Sequence, residues 1–289
     1  MEIIELSKKN KFIITAELGP PKGTSLDSFY KQAAYLKGLV DAANVTDQQA
    51  AVMRLGSLAA CVKLKEYGIE PIMQATVRDK NRIALQSEIL SADALGIHNL
   101  LILTGDPVKI GDHPEAKPVF DIDAAEFMSV IKKMEGGEDM TGHKLEGAPR
   151  MCIGAALNPC VDDIETEISK TRNKILKGAE FFQTQGVFEL TRFKRFMNRY
   201  KAEGFTAPVL AGIILLKSAK MANFMNEKIP GIFIPQDVLQ RLEKTSSGKK
   251  ECVAIASETI EAIRPLVQGV HLMAIGWEEL IPEIVKQVR

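Results

Sequence analysis

The chain of 289 residues has few cysteines, few aromatic residues and no excess of charge of either sign. Its four cysteines are scattered and form no C-x-x-C pair, which argues against a metal or cluster site and favours a reducing cytoplasm. The 37 basic and 37 acidic residues cancel, so nothing indicates a nucleic acid or membrane-surface partner. No apolar run approaches the roughly 20 residues of a membrane helix. The N-terminus does not resemble a signal peptide, which fits a cytoplasmic protein.

Strand and helix patterns alternate along the whole chain. Short apolar runs joined by amphipathic stretches predict parallel strands with helical crossovers. No strand–helix junction carries G-x-G-x-x-G, which disfavours a dinucleotide-binding open sheet. Eight such units over this length predict one α/β domain, a (β/α)₈ barrel spanning residues 1–289. The predicted strands are 12–16, 41–45, 71–75, 99–103, 151–156, 181–185, 208–214 and 269–273.

Helices are predicted between these strands. Glycines such as Gly68 and Gly204 mark helix ends, and polar residues such as Asp79 or Asn81 can cap helix starts. Ser25 or Asp27 could cap the first helix, which the pattern extends to Leu39. The later predicted helices are 57–67, 81–95, 124–134, 163–176, 190–202, two short helices within 217–244, 252–266 and 278–288.

The first predicted strand ends in a carboxylate beside a rigid turn. Phe12, Ile13 and Ile14 form an apolar run with β propensity, and Glu17 follows. The segment 19–21 (Gly-Pro-Pro) then prevents further strand pairing. Active sites of α/β barrels lie at the carboxyl ends of the strands, although an isolated strand-end glutamate more often faces water.

Polar residues recur at the other predicted strand ends. Each of them separately is more often a turn residue than a functional one. Two carboxylates on different strands, Glu17 and Asp106, can adopt different protonation states if they share a pocket. His271 falls within the last strand, where a structural role is expected, and no His/Asp/Glu set has metal-ligand spacing. The pattern predicts acid–base chemistry on a polar planar ligand. The strand-end residues are Glu17, Thr46, Asp47, Gln74, Thr76, Thr104, Asp106, Asn158, Thr184, Gln185 and Lys217.

Four segments, in order and spacing, resemble the methylenetetrahydrofolate reductase family. They are 15–21 (TAELGPP), 45–47 (VTD), 103–107 (LTGDP) and 174–185 (KILKGAEFFQTQ). The resemblance covers essentially the whole chain and is nearest to the short form of bacteria and anaerobes. It implies a barrel with a flavin, FAD or FMN, at the carboxyl end of the strands. The implied activity is oxidoreduction: 5,10-methylenetetrahydrofolate becomes 5-methyltetrahydrofolate, with a hydride from the reduced flavin.

The resemblance also implies residue roles. Glu17 matches the acid that protonates the folate nitrogen N10, which requires a carboxyl that is protonated near neutral pH. Asp106 matches an acid near the flavin whose charge disfavours the anionic reduced flavin. Gln185 matches a glutamine that binds the pterin, and an aromatic substrate contact falls at Phe224 or Met225. The positions assigned to the flavin are Thr46, Gln74, Thr104, Gly105, Asp106, Asn158 and Lys174.

The chain departs from the family pattern at several contacts. Gln74 stands where a histidine is frequent, Thr104 where an arginine is common, and an arginine after the last strand is replaced near Trp277. These changes leave open the flavin type and the electron donor: NADH, NADPH or a protein. Similar forms in acetate-producing anaerobes work beside an iron–sulfur and zinc-binding partner subunit, so such a partner is a hypothesis here. A homo- or hetero-oligomer is expected.

Two alternatives to the reductase are considered. A pterin-binding barrel that transfers a methyl group to a corrinoid would also use acids and amides such as Asp106 and Gln185. Glu17 with its Gly-Pro-Pro turn, together with segment 174–185, argues against it. A flavin-free folate-binding subunit of a larger complex is the second alternative. A non-catalytic subunit has no use for an acid pair, which argues against that interpretation.

Overall fold

A closed barrel of eight parallel strands forms the centre of the molecule, each strand paired with its neighbours in sequence and β8 paired with β1. The computed structural model describes residues 2–9, 11–229 and 231–289. The (β/α)₈ prediction is confirmed, and each strand lies within two residues of its predicted bounds. The strands are β1 Ile13–Leu18, β2 Ala42–Val45, β3 Pro71–Thr76, β4 Asn99–Leu103, β5 Cys152–Leu157, β6 Phe181–Gly186, β7 Val209–Ile214 and β8 Gly269–Met273.

Helices surround the barrel and cover the outward-facing side chains of the strands. This two-sided burial explains why the strands are continuously apolar instead of alternating. The helices are α1 Ile3–Lys8, α2 Asp27–Ala34, α3 Ser57–Glu66, α4 Arg82–Ala94, α5 Ala124–Glu135, α6 Ile164–Leu176, α7 Leu190–Ala202, α8 Ala219–Lys228, α9 Gln236–Lys244, α10 Gly248–Ile263 and α11 Ile281–Val288, with short 3₁₀ turns at Gln49–Ala51, Val108–Ile110, Arg264–Leu266 and Glu278–Leu280.

Helix α1, which was not predicted, closes the amino-terminal end of the barrel. It places Ile3 and Leu6 on the apolar interior formed by residues such as Ile13 and Phe181. The backbone N–H of Ile3 donates to Asn99 Oδ1 at 2.9 Å, which fixes the start of the helix. Six residues carry too little periodicity to indicate a helix, so its stability comes from this docking.

Helix α2 differs from its prediction at both ends. It ends at Ala34 rather than at Leu39, and the chain then turns through Gly38, which has a φ of +77°. Ser25 and Asp27 hydrogen-bond to each other rather than capping the helix. At α4, by contrast, the predicted cap is confirmed, because Asn81 Oδ1 accepts from the N–H of Ala84 at 3.0 Å. Within the described ranges, no helix combines the length and hydrophobicity needed to span a membrane.

The barrel interior requires a glycine at position 154. Gly154 faces inward from β5, and a methyl group there would overlap the ring of Phe181, which is fully buried. The ring therefore occupies the space that a side chain at 154 would need. Small and large residues alternate in this way because the closed sheet leaves a fixed interior volume.

We expect Gly154→Ala to lower the free energy of unfolding by about 1–3 kcal/mol, because the interior would be overpacked. Urea denaturation followed by circular dichroism measures the loss. Gly248→Ala is the matched control: Gly248 begins α10, and a methyl group there would lie at an ordinary 3.6 Å from the Lys217 carbonyl. Equal stability of the two variants would contradict this account of the interior.

Candidate active site

A cleft of about 300 Å³ opens at the carboxyl end of the strands, where the sequence predicted the site. Because successive strands of the closed sheet all point the same way, their terminal polar side chains converge there. A larger hollow, of about 540 Å³, lies on the outside of the barrel between α6 and α7. The residues lining the cleft are Glu17, Asp47, Gln49, Gln74, Thr76, Leu101, Leu103, Thr104, Gly105, Asp106, Ala156, Gln183, Thr184, Gln185, His271 and Met273.

Two amides pair across the barrel beneath the cleft. Asn44 Nδ2 donates to Gln183 Oε1 at 2.7 Å, and Gln183 Nε2 donates to Asn44 Oδ1 at 3.0 Å. Asn44 is fully buried and Gln183 is 3% exposed. The reciprocal bonds satisfy both amides and join β2 to β6 through the interior. They also mark where the apolar lower interior gives way to the polar cleft.

Glu17 projects into the cleft from β1 with its side chain 16% exposed. Its Oε1 accepts a hydrogen bond from Gln49 Nε2 at 3.0 Å. Its Oε2 lies 3.9 Å from His271 Nε2. The carboxyl thus has an amide donor on one oxygen and an imidazole near the other, and neither group is a permanent cation.

Asp106 lines the same cleft from the loop after β4. Its Oδ2 accepts from the backbone N–H of Ala50 at 2.8 Å. The preceding Gly105 has a φ of +91°, and a Cβ there would press on Arg78 and Thr76 at 3.0 and 3.3 Å. Glycine is therefore required at 105, which explains the Gly-Asp pair in the sequence.

The loop after β2 bridges the two predicted acids. Gln49 bonds to Glu17 and Ala50 bonds to Asp106. Gln48, Ala50 and Ala51 have φ values of 47°, 55° and 55°, a left-handed conformation that non-glycine residues rarely adopt. Such strain persists only where the surroundings fix it, and it concentrates at functional sites.

Arg78 holds the loops around the cleft in place through hydrogen bonds. Its side chain is only 2% exposed, and its Nη1 donates to the Asp106 carbonyl at 2.8 Å. Nε and Nη2 donate to both carboxylate oxygens of Asp79 at 2.8 and 2.6 Å. The hydrogen bonds that Arg78 donates to Asp79 raise the pKa of Arg78 despite burial. This charged anchor was not identified from the sequence.

Asp47 is held by a second buried group of charges. Its Oδ2 accepts from the backbone N–H and the hydroxyl of Thr76, each at 3.0 Å, and from Lys80 Nζ at 3.3 Å. Lys80 also bonds to Glu88. Burial disfavours the Lys80 ammonium, but the carboxylates of Asp47 and Glu88 outweigh it and raise the pKa of Lys80. Asp47 therefore serves mainly to position the end of β3.

Strand β6 contributes three consecutive residues to the cleft because its register is irregular, whereas a regular strand would present only the two glutamines. Pairing with β7 shifts between Gln183 and Gly186, and the hydroxyl of Thr184 accepts from the N–H of Gly212 at 2.9 Å. Gln183, Thr184 and Gln185 consequently all line the cleft. Gln185 was singled out from the sequence, whereas Gln183 was missed because it lies inside the strand pattern.

The other predicted positions divide into those that line the cleft and those that do not. Gln74, Thr104 and Gly105 line it. Thr46 and Asn158 lie outside it, but each has a buried side-chain oxygen, Oγ1 and Oδ1, that finds no hydrogen-bond partner in the described part of the chain. Donors or acceptors of a ligand can satisfy such atoms, so both positions stay predictions.

Lys174, Phe224 and Met225 do not line the cleft. Lys174 Nζ donates to the Ala156 carbonyl at 2.7 Å, and burial lowers the pKa of Lys174. Phe224 on α8 is 57% exposed, and Met225 is 3% exposed within an apolar cluster that includes Leu216. Of these two, Phe224 is the one whose side chain is free to contact a ligand, and both assignments remain predictions.

The cysteines are buried and separate. Burial raises the pKa of Cys160 to about 11 and that of Cys252 to about 12. Among residues 2–9, 11–229 and 231–289, no group of three or more His, Cys, Asp or Glu side chains is arranged to hold a metal ion.

The fold and this cleft define the class of the protein. It is a (β/α)₈-barrel protein with carboxylate and amide groups gathered at the carboxyl end of the strands. Structural comparison agrees with this class. A protein from Clostridium thermocellum, described as binding two copies of 5-methyl-5,6,7,8-tetrahydrofolic acid, superposes with a TM-score of 0.63 at 15% identity, over 98% of this chain and 96% of its own.

The chain belongs to the methylenetetrahydrofolate reductase family, whose sequence model matches residues 2–289. The resemblance seen in the sequence is thereby confirmed. Methylenetetrahydrofolate reductase 1 of Schizosaccharomyces pombe is 23% identical over 235 residues, which cover 77% of this chain and 36% of that protein. A probable methylenetetrahydrofolate reductase (NADPH) of Caenorhabditis elegans is 23% identical over 241 residues, covering 80% and 34% respectively. The chain thus spans about a third of the length of these relatives.

The cross-barrel amide pair makes an asymmetric prediction. Gln183→Met leaves the fully buried Asn44 amide unpaired and should lower the free energy of unfolding by about 1–3 kcal/mol. Asn44→Leu should cost less, because Gln183 borders the cleft and can bond to water there. The double variant should recover most of the loss, since it removes both polar partners.

Urea unfolding of all three variants provides the test. A double variant that is as unstable as the sum of the two single variants would show that the amides contribute independently, which contradicts the pairing.

Proposed function

We propose that the chain is a flavin-dependent oxidoreductase that reduces 5,10-methylenetetrahydrofolate to 5-methyltetrahydrofolate. The observation that carries this proposal is the convergence of Glu17, Asp106 and Gln185, from three different strand ends, on one cleft. An acid, a second carboxylate and an amide suit a pterin, whose ring carries adjacent hydrogen-bond donors and acceptors.

The comparisons support folate as the substrate class. The curated relatives carry the reductase name, and the Clostridium thermocellum neighbour is described as binding a methylated tetrahydrofolate. That neighbour shares the barrel fold, so the same end of the barrel is a reasonable location for the pterin here.

The polar groups in and beside the cleft suit a flavin, because they can donate hydrogen bonds to its ring or accept them from it. The unpartnered oxygens of Thr46 and Asn158 and the amide of Gln74 can bond to the polar edge of an isoalloxazine ring. A bound flavin would supply the hydride that the reduction needs. Lys174 could contact a phosphate only after leaving the Ala156 carbonyl. FAD and FMN remain alternatives, as do NADH, NADPH and a partner subunit as electron donor.

In this proposal Glu17 donates a proton to N10 of the folate. The C–N10 bond then opens, and the one-carbon unit becomes an iminium ion on N5 that can accept a hydride. Asp106 contributes a fixed negative charge that stabilises this cation. Gln185 orients the pterin through its amide. Gln49 Nε2 donates to Glu17 Oε1, so Oε2 is the oxygen left to carry the proton.

Glu17→Gln should abolish folate reduction while leaving the flavin bound and photoreducible. Loss of a general acid lowers such a rate by about 10²–10⁴-fold. The measurement is anaerobic mixing of the photoreduced variant with 5,10-methylenetetrahydrofolate, followed by flavin absorbance. Glu115→Gln, an exposed position in the loop after β4 outside the cleft lining, is the control. Wild-type turnover by the Glu17 variant would eliminate the proton-donor role.

Asp106→Asn should raise the reduction potential of the bound flavin, because removing the negative charge makes the anionic reduced form less unfavourable. A change of about 30 mV in a two-electron couple corresponds to about 1.4 kcal/mol. Potentiometric titration against a reference dye measures it. Asp106→Glu, which keeps the charge, should stay near the wild-type potential. Identical potentials for the Asn variant and the wild type would remove the charge argument.

A further inference from the structure

His271 is the imidazole that faces Glu17, and it is held in one orientation. It lies on β8 opposite Thr15 of β1, is 3% exposed and lines the cleft. Its Nδ1 is 3.0 Å from Thr15 Oγ1, and its Nε2 is 3.9 Å from Glu17 Oε2. The ring therefore extends between a buried hydroxyl and the predicted proton donor.

Thr15 Oγ1 lies within hydrogen-bond distance of the Val270 carbonyl, at 3.3 Å, and of His271 Nδ1, at 3.0 Å. The Val270 carbonyl can only accept a hydrogen bond. When the hydroxyl donates to it, Thr15 contacts Nδ1 as an acceptor, and Nδ1 carries the hydrogen. In that tautomer of the neutral ring the lone pair of Nε2 points toward Glu17, and this tautomer is part of the inference below.

The other ionisable groups of the cleft are engaged elsewhere. Asp47 is bonded to Thr76 and Lys80, and Asp106 accepts from Ala50. Gln49, on the other oxygen of Glu17, cannot titrate. Among the described residues that line the cleft, His271 is thus the titratable partner of Glu17.

We propose that Glu17 and His271 hold one proton between them and act as a single acid, with Thr15 fixing the tautomer that makes this possible. The inference rests on the proposed function and explains how a carboxyl can deliver a proton near neutral pH. An imidazole is ordinarily more basic than a carboxylate by about two pKa units, which makes it the better store for a proton that a neighbouring carboxyl delivers.

The step moves one proton. The Nε2–H bond of His271 breaks as an O–H bond forms on Glu17 Oε2, and that O–H bond breaks as N10 of the folate gains the proton and the C–N10 bond opens. The pair is left as a carboxylate and a neutral imidazole, and solvent then restores its one proton. His271 is accordingly a positioning residue that acts through Glu17, and the step requires Nε2 and Glu17 Oε2, 3.9 Å apart in this structure, to approach to hydrogen-bond distance.

The kinetic test is the pH dependence of a single turnover. Photoreduced protein is mixed anaerobically with 5,10-methylenetetrahydrofolate between about pH 6 and pH 8, the range in which an imidazole titrates. In His271→Gln the rate should fall by about 10-fold or more at the alkaline end and stay within about 3-fold of wild type at the acidic end. Thr15→Val should show the same trend more weakly, and Thr15→Ser should restore the wild-type profile.

His143→Gln is the matched control, because His143 is a histidine in an exposed loop. It should leave the profile unchanged. If the rate of His271→Gln parallels that of wild type at every pH, the shared-proton inference is overturned, even when the rate itself is lower. A purely structural role changes the rate without changing its pH dependence.

A second readout does not need activity. Nitrogen-15 spectra of the imidazoles at alkaline pH should show the Nδ1–H tautomer for His271. The His271 signal is assigned because it is lost in His271→Gln. Thr15→Val should abolish the preference for this tautomer. An Nε2–H tautomer in the wild type would contradict the inference. If the wild type fails to reduce the folate while the tautomer is as expected, the proposed function fails and the geometry of the pair stands.

Discussion

Closure of a parallel sheet is the constraint on which the rest of this structure depends. Eight strands that run in the same direction have one common carboxyl end, and every second side chain points into a shared interior. The lower interior is filled by apolar side chains and closed by α1. The Asn44–Gln183 pair then separates this apolar part from a polar end. Acids and amides can meet in the cleft because the inward-facing residues at the carboxyl ends of the strands all converge on that space.

The loops at that end form a connected structure rather than independent turns. Arg78 bonds to backbone carbonyls of the loops after β2 and β4. The loop after β2 in turn bonds to both predicted acids through Gln49 and Ala50. Lys22, after β1, pairs with Asp112, which also accepts from the N–H of Met53. The groups that hold Glu17 and Asp106 are therefore themselves held by neighbouring loops.

Much of the fold could be predicted from the sequence because its signals are local. Apolar runs such as 100–103, with Asn99 before it and Gly105 soon after it, define strands regardless of their neighbours. Helix α1 was missed because it is stabilised by docking on the barrel, and the early end of α2 because Gly38 turns the chain where hydrophobic spacing alone suggests a longer helix.

The candidate site was predictable only where its residues end a strand. Glu17, Asp106 and Gln185 could be found in this way, and they line one cleft. Gln183, Arg78 and Gln49 could not, because their roles arise from partners 139, 28 and 32 residues away in the sequence. His271 was assigned a structural role for the same reason, since the hydroxyl that orients it belongs to the first strand and lies 256 residues away.

In the proposed function this barrel passes a hydride from a flavin to methylenetetrahydrofolate. The most direct measurement is the visible absorption of the purified chain as isolated, after photoreduction and after anaerobic addition of 5,10-methylenetetrahydrofolate, with the released chromophore identified by mass. The account predicts flavin bands that bleach on photoreduction and return with the folate. A colourless chain that also refuses added FAD and FMN would contradict it, and would favour a pterin-binding methyltransferase or a flavin-free folate-binding subunit.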